Sequence, residues 1–396
     1  MRSFSLFIVL LFMTFSALTA ETDMVSIGKK FTIHSKVIGE DRSVWVYVPE
    51  NLKKDEPLYT IYLLDGREHF HTVTGIVKSL LDYRQIPKTM VVGIETTNRS
   101  RDFLPKVDGK PKTKFQEFVS SKWPEGGKTD NFLKFMQQEL IPYIDKNYST
   151  YPHRTLIGHS NGGTLSLYAL FNKPELFNNY LTISPNGWWS HDETIANVKK
   201  LTDPNRPYEK IFLSVAGEGG RFYTGVLDLL AAIEKNKPPR LESQFKHYPN
   251  QTHMTGILPA VSEGLEYLFR DLNFEITTEL AGYADVSVIK NYYNELSKKY
   301  GFKVQIPIDI YVEFAEQQQN NKRKTEAVET LIQFVAAYPD LPYAHMSLGR
   351  GYMLLEQFEN AKKNFEQALS HAKKQKKEAQ ILDALQDMVN TAHSKL

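Results

Sequence analysis

The chain has 396 residues, of which 41% are hydrophobic and 24% charged, and its formal net charge is +2. That composition excludes extensive disorder, and a charge so near neutrality gives no whole-chain reason to expect a nucleic-acid partner. There is no cysteine, which excludes disulfides and thiolate metal sites.

The length suggests two domains, preceded by a targeting segment at residues 1–20. Arg2 supplies a positive start, Leu6 to Phe15 an apolar run, and Ser16-Ala17-Leu18-Thr19-Ala20 small residues before Glu21. The run is shorter than the ~20 residues of a membrane-spanning helix. An uncleaved anchor is the alternative, but the expectation is a periplasmic or secreted bacterial protein with no stable membrane span.

From residue 21 to about 275, strands and helices alternate, which predicts a mostly parallel sheet in a three-layer α/β sandwich. Ser43 to Val48 alternates in polarity and stops at Pro49, as a strand should. Leu58 to Leu64 is an apolar run closed by Asp65-Gly66-Arg67. A loop after an early strand is where one oxyanion donor is expected, from the N–H of Arg67 or Gly66. Met90 to Ile94 reads as a buried strand. Between Phe103 and Gly127 a Lys-, Pro- and Gly-rich stretch has no period, which suggests a loop or lid. Phe132 to Tyr148 has helical spacing, with Thr129 and Asp130 as candidate N-caps.

Gly158-His159-Ser160-Asn161-Gly162 follows the strand Leu156-Ile157 and precedes an apolar helix beginning near Thr164. This is G-x-S-x-G in the strand–turn–helix setting of a nucleophile elbow, and it predicts an α/β-hydrolase with Ser160 as nucleophile. A helix N-terminus there adds positive potential, and the N–H of Asn161 is the second expected oxyanion donor. His159 is adjacent to Ser160, so its side chain should point away from it, and a structural role is expected. A weakly acidic hydroxyl needs a base, and in this fold the chain order is serine, acid, histidine. Ile211 to Val215 reads as a strand leading into Ala216-Gly217-Glu218, so Glu218 is the expected acid. Asp228 competes, delivered by a longer loop, and a site without an acid is the third possibility. His253 lies in a polar loop after the strand-like run Leu241 to Tyr248 and is the expected base, whereas His247 falls inside the run.

After residue 275 glycine becomes scarce and the spacing turns helical. Val286 to Lys299 reads as a helix ending at Gly301. Ala344, Leu348, Gly349, Tyr352, Ala361, Phe365 and Ala368 fall at tetratricopeptide (TPR) spacing, and Phe314, Ala315, Ala327, Leu331, Phe334 and Pro339 match more loosely one repeat upstream. A last helix from Lys377 to about His393 would cap the stack. Residues 276–396 are thus expected to form a small all-helical TPR-like domain, or a generic helical appendage.

Taken in order, these motifs resemble the esterase family that includes esterase D and the enterobactin-type siderophore esterases. The resemblance rests on Tyr62-Leu63-Leu64-Asp65-Gly66; on Val91-Val92-Gly93-Ile94 with Arg99, Arg101-Asp102 and Pro105; on Glu139 to Ile144 and Tyr148; and on Ser184-Pro185 with Trp188-Trp189. It covers about Phe31 to Phe269, and some members carry C-terminal TPR-like repeats. Asp102-Phe103-Leu104-Pro105 departs from the family's usual D-L-T-P, and the acid position is the least uniform part of the pattern. The resemblance implies serine esterase chemistry with no metal or cofactor.

Arg67, Arg99 and Arg101, with Trp188 and Trp189, are candidates for binding an aromatic or anionic acyl group. The alternative has the arginines paired with Asp65 and Asp102 and the tryptophans in packing. The expected function is a secreted carboxylic-ester hydrolase on small-molecule substrates. A siderophore trilactone esterase is one alternative. The other is a binding or assembly protein of weak hydrolase activity, whose TPR-like helices recruit a partner or a second copy.

Overall fold

Leu58–Leu64, Thr89–Ile94 and Glu209–Ala216 are buried along their whole length, as strands covered on both faces must be. The computed structural model describes residues 25–50, 52, 56–106, 114–122, 124–186, 189 and 191–396. The expected signal segment and Trp188 lie outside these. Among the described residues, eight strands form one sheet: β1 (Lys29–Ser35), β2 (Glu40–Tyr47), β3 (Leu58–Leu64), β4 (Thr89–Ile94), β5 (Thr150–His159), β6 (Asn179–Ile183), β7 (Glu209–Ala216) and β8 (Leu241–Tyr248). Their spatial order is β1-β2-β4-β3-β5-β6-β7-β8. The two pairings of β2 are antiparallel and all later ones parallel.

The helices before residue 275 are α1 (Gly66–Asp82), α2 (Arg99–Phe103), α3 (Lys114–Lys122), α4 (Thr129–Phe135), α5 (Ile141–Asn147), α6 (Asn161–Asn172), α7 (His191–Asn197), α8 (Arg221–Asn236) and α9 (Ile257–Phe269). One face of the sheet packs on Phe132, Leu140, Ile144, Leu165, Leu170, Val226 and Ile233. The other packs on Val73 and Val77 of α1 and on Val261 and Leu265 of α9. Both layers follow from apolar residues recurring every three or four positions. The long helix expected from Phe132 runs through α4, a π-helical turn at Met136–Leu140, and α5. Pro142 stands just after that turn and has no N–H to continue the regular ladder. The stretch expected as a loop or lid contains α3, and residues 107–113 and 123 lie outside the described set.

Seven further helices follow: α10 (Thr278–Tyr283), α11 (Ser287–Tyr300), α12 (Ile308–Asn320), α13 (Lys324–Ala337), α14 (Pro342–Leu354), α15 (Phe358–Lys374) and α16 (Ala379–His393). Gly301 ends α11 in the left-handed conformation, at φ 75°, with its N–H on the Ser297 carbonyl. Most of the residues picked out by repeat spacing are buried between successive helices, whereas Pro339 is exposed and Tyr352 half-buried; Ala315, Ala327, Leu331, Phe334, Ala344 and Leu348 share one cluster. The first of these helices have no separate core. Ile289, Tyr293, Leu296, Ile310 and Phe314 belong to the cluster that covers the α1/α9 face of the sheet. At its edge, buried Lys210 of β7 pairs with Asp271 at 2.9 Å, and Lys299 of α11 reaches Asp271 at 2.9 Å and Glu242 at 3.1 Å. No helix among the described residues is long and apolar enough to cross a membrane.

Candidate active site

The chain runs from β3 outward to β4 on one side, and from β5 through β6 to β8 on the other. The direction of winding therefore reverses between β3 and β5, and the crevice beyond their carboxyl ends is where such sheets bind ligands. Gly66 and Arg67 follow β3, and Ser160 follows β5. Glu218 and His253 follow β7 and β8, with Glu218 two residues beyond its strand.

Ser160 has φ 60° and ψ −119°, a region that a residue with a side chain occupies only when its surroundings compel it. The compulsion is visible in the backbone. Its N–H donates to the Ile183 carbonyl of β6 at 2.9 Å, while its own carbonyl accepts from Thr164 of α6 at 3.0 Å. A Cβ on Gly158 would lie 2.2 Å from the Gly162 carbonyl oxygen, so strand and helix fit only around a glycine there. Ser160 Oγ has no hydrogen-bond partner among the described residues, and in unliganded sites such bonds commonly tighten only with substrate.

The acid and the base are in contact. His253 Nδ1 bonds Glu218 Oε1. The second carboxylate oxygen accepts from Ser184 Oγ at 3.0 Å and from the Ala216 N–H at 2.9 Å. Burial alone would raise the Glu218 pKa, but the hydrogen bonds from His253 and Ser184 outweigh it and hold the carboxyl below its ordinary value. Asp228 lies instead on the exposed face of α8, and His247 stays in β8 with its ring 4.8 Å from Tyr223. Ser184 was invisible as a supporting residue: it stood in the sequence only as half of a Ser-Pro motif.

Two helix N-termini converge beside Ser160. Asp65 takes φ 53° and turns β3 directly into α1, and Asn161 opens α6. The first N–H groups of a helix have no acceptor within it, so those of Gly66, Arg67 and Asn161 are suited to an oxyanion. A Cβ on Gly66 would stand 2.6 Å from the Ile94 nitrogen, so α1 approaches β4 only through glycine. The Asn161 side chain is buried and accepts from Asn186.

The proposed substrate contacts need correction. Arg99 is bidentate to Asp65, at 2.8 and 2.9 Å, and also donates to the His159 carbonyl at 2.9 Å. It therefore ties the β3–α1 turn to the elbow. Arg101 is engaged by Asp102 and Glu40, and its hydrogen bond pulls Glu40 down to about 2. Trp189 is buried, its indole N–H donating to the Pro105 carbonyl at 3.0 Å. Carboxylates and packing thus hold Arg101 and Trp189, and of the three arginines only the exposed Arg67 remains a candidate for recognising an anion. Arg99→Ala is accordingly expected to lower kcat/KM by about tenfold, and equally for neutral and anionic esters, because it disorders the turn and not a substrate contact. A loss confined to anionic esters, in parallel assays, contradicts this.

No group of three or more potential metal ligands occurs among the described residues. Residues 35–256 match the model of the Putative esterase family. An uncharacterized protein of Bacillus subtilis, YjcH, is 31% identical over 165 residues, 40% of this chain and 60% of its own length. The ferri-bacillibactin esterase BesA of the same organism is 28% identical over 52% of this chain and 77% of its own. The IroE-like serine hydrolase of Shewanella oneidensis superposes with a TM-score of 0.63 over 76% of this chain and 98% of its own, at 24% identity.

Proposed function

Given that the chain belongs to the Putative esterase family, we propose that it hydrolyses carboxylic esters through an acyl-enzyme on Ser160. The contact of His253 Nδ1 with Glu218 beside a serine in an elbow conformation carries this reading. Ser160 Oγ attacks the ester carbonyl as His253 Nε2 takes its proton. The N–H groups of Gly66 or Arg67 and of Asn161 stabilise the oxyanion. The alcohol leaves with the proton from His253. Water then attacks the acyl-enzyme by the same route, releasing the acid and restoring Ser160. Glu218 keeps the proton of His253 on Nδ1 and stabilises the imidazolium as it forms. No step needs a metal or cofactor from the residues named.

A trilactone siderophore is the second reading, and the likeness to BesA over 77% of that protein favours it. The two readings separate on a panel of aryl, acetyl-sugar and catecholate-lactone esters. A kcat/KM at least about 100-fold higher for the lactone selects the siderophore reading. An organophosphonate should place one adduct on the Ser160 peptide of the wild type; no adduct there removes the serine mechanism. Export belongs to the same proposal, on the strength of Arg2, the apolar run from Leu6 to Phe15 and the small residues before Glu21. N-terminal sequencing of the exported protein tests it.

A further inference from the structure

His159 is the second residue of the elbow pentapeptide, and the acyl-transfer steps do not use its side chain. That side chain is buried, with the residue 3% exposed. Its Nε2 lies 2.8 Å from the main-chain carbonyl of His253. The two imidazole rings are 4.6 Å apart and inclined at 40°. His69, from α1, also meets the His159 ring edge-on at 5.6 Å. A carbonyl oxygen only accepts, so Nε2 of His159 must carry the proton and donate it. Burial, and then the neighbouring His253 and His69, push the His159 pKa down to about 3. The ring therefore stays neutral, with Nδ1 bare, throughout the pH range in which an esterase works.

The loop carrying His253 is fixed on either side by its own bonds. Gly217 donates to the Gln251 carbonyl at 2.8 Å, Thr252 and Thr255 bond one another, and Gly256 donates to the Thr252 carbonyl at 3.0 Å. At His253 itself, the ring is held by Glu218 and the backbone by His159. These two supports come from different parts of the sheet, the loop just after β7 and the end of β5. The second comes from the residue bonded covalently to Ser160, so it sets the spacing between nucleophile and base directly.

We propose that His159 is a positioning residue, whose Nε2–H donates to the His253 carbonyl so that the base stays directed at Ser160. The proposal rests on the reading of Ser160 and His253 as nucleophile and base. The neutral partner ring also faces the imidazolium that forms on His253 during acylation, and adds no charge against it.

A hydrogen-bond role and a packing role predict opposite orders for two variants of the full chain. His159→Gln keeps a donor at the reach of Nε2, whereas His159→Phe keeps the ring and loses the donor. With a short-chain nitrophenyl ester, His159→Phe is expected to lower kcat about 30-fold with KM within about twofold, and His159→Gln to stay within about threefold of the wild type. Equal activity of the Phe variant and the wild type, or a Gln variant as weak as Phe, overturns the proposal. A measurement that needs no variant bears on the same point. Nitrogen-15 NMR of histidine-labelled wild type should show His159 as the neutral Nε2–H tautomer from pH 5 to 8; titration in that range, or the Nδ1–H tautomer, also overturns it. The phosphonate distinguishes the two levels. Wild type that takes no adduct on Ser160 brings down both readings, while a labelled wild type with an undiminished His159→Phe variant sinks the positioning role alone.

Discussion

Ser160→Ala is expected to lower kcat for a short-chain nitrophenyl ester by roughly 10⁶-fold, Glu218→Gln by roughly 10⁴-fold, and Asp228→Asn by no more than about twofold. The first magnitude reflects loss of the covalent route. What remains is the catalysis that an oxyanion hole and binding supply without a nucleophile. The second reflects geometry that is already built. Glu218 accepts from His253, Ser184 and the Ala216 N–H, and a glutamine keeps the shape but presents an amide that can favour the wrong histidine tautomer. Asp228 lies on the exposed face of α8 and serves as the control. The same variant tests the charge of Glu218. Its folded pKa is depressed, so the stability it contributes is complete above the ordinary carboxylate range and is lost as pH falls through the lowered value. The Tm difference between wild type and Glu218→Gln should therefore be present at neutral pH and close on acidification. A variant that retains burst kinetics, or a Tm gap that widens in acid, overturns the assignment of the acid.

Much of the site was legible because its residues fall just past strands, and strands announce themselves. Leu58–Leu64 and Ile211–Val215 are largely apolar runs, so the residues following their strands, Gly66 and Glu218, could be named from position alone. β6 was missed: Asn179 and Thr182 interrupt the apolar residues of Asn179–Ile183, so it stands out neither as an apolar run nor as a clean alternation. Its loss hid Ser184, which follows it directly and holds Glu218. Side-chain partnership was also beyond one-dimensional reading. Arg99 and Arg101 stayed open between ligand contacts and pairing with Asp65 and Asp102, because nothing in the chain chooses between the two or says that Glu40 also comes to meet Arg101. The contact of His159 with His253 spans 94 residues, and no local pattern encodes it. The helices after residue 275 were legible as helices. Their seat on the sheet was not, because an amphipathic face does not name the surface it covers.

Ending the chain at Asn273 is expected to give a protein that is poorly soluble, binds a hydrophobic dye and has lost cooperative melting. The helical region resembles an appendage in sequence, yet it is one wall of the sheet's second layer. Ile289, Tyr293, Leu296, Ile310 and Phe314 are each buried against the sheet-side cluster that includes Tyr59, Phe269 and Leu272. At about 1.5–3 kcal/mol for each large side chain, removing them withdraws on the order of 10 kcal/mol, comparable with the whole stability of a typical domain. The cut also deletes Lys299 and leaves Glu242 without it, beside the buried Lys210–Asp271 pair; breaking up a partly buried charge group adds to the loss. A milder form of the same test leaves the chain intact. Phe314→Ala, in a residue with no exposure, should cost about 3–5 kcal/mol, and for a chain of this size lower Tm by about 5 °C. It should leave KM unchanged, since Phe314 stands on α12 and the site stands at the carboxyl ends of the strands. If the fragment ending at Asn273 melts cooperatively and cleaves esters at the full rate, the helices are a separate module and the shared cluster contributes nothing essential.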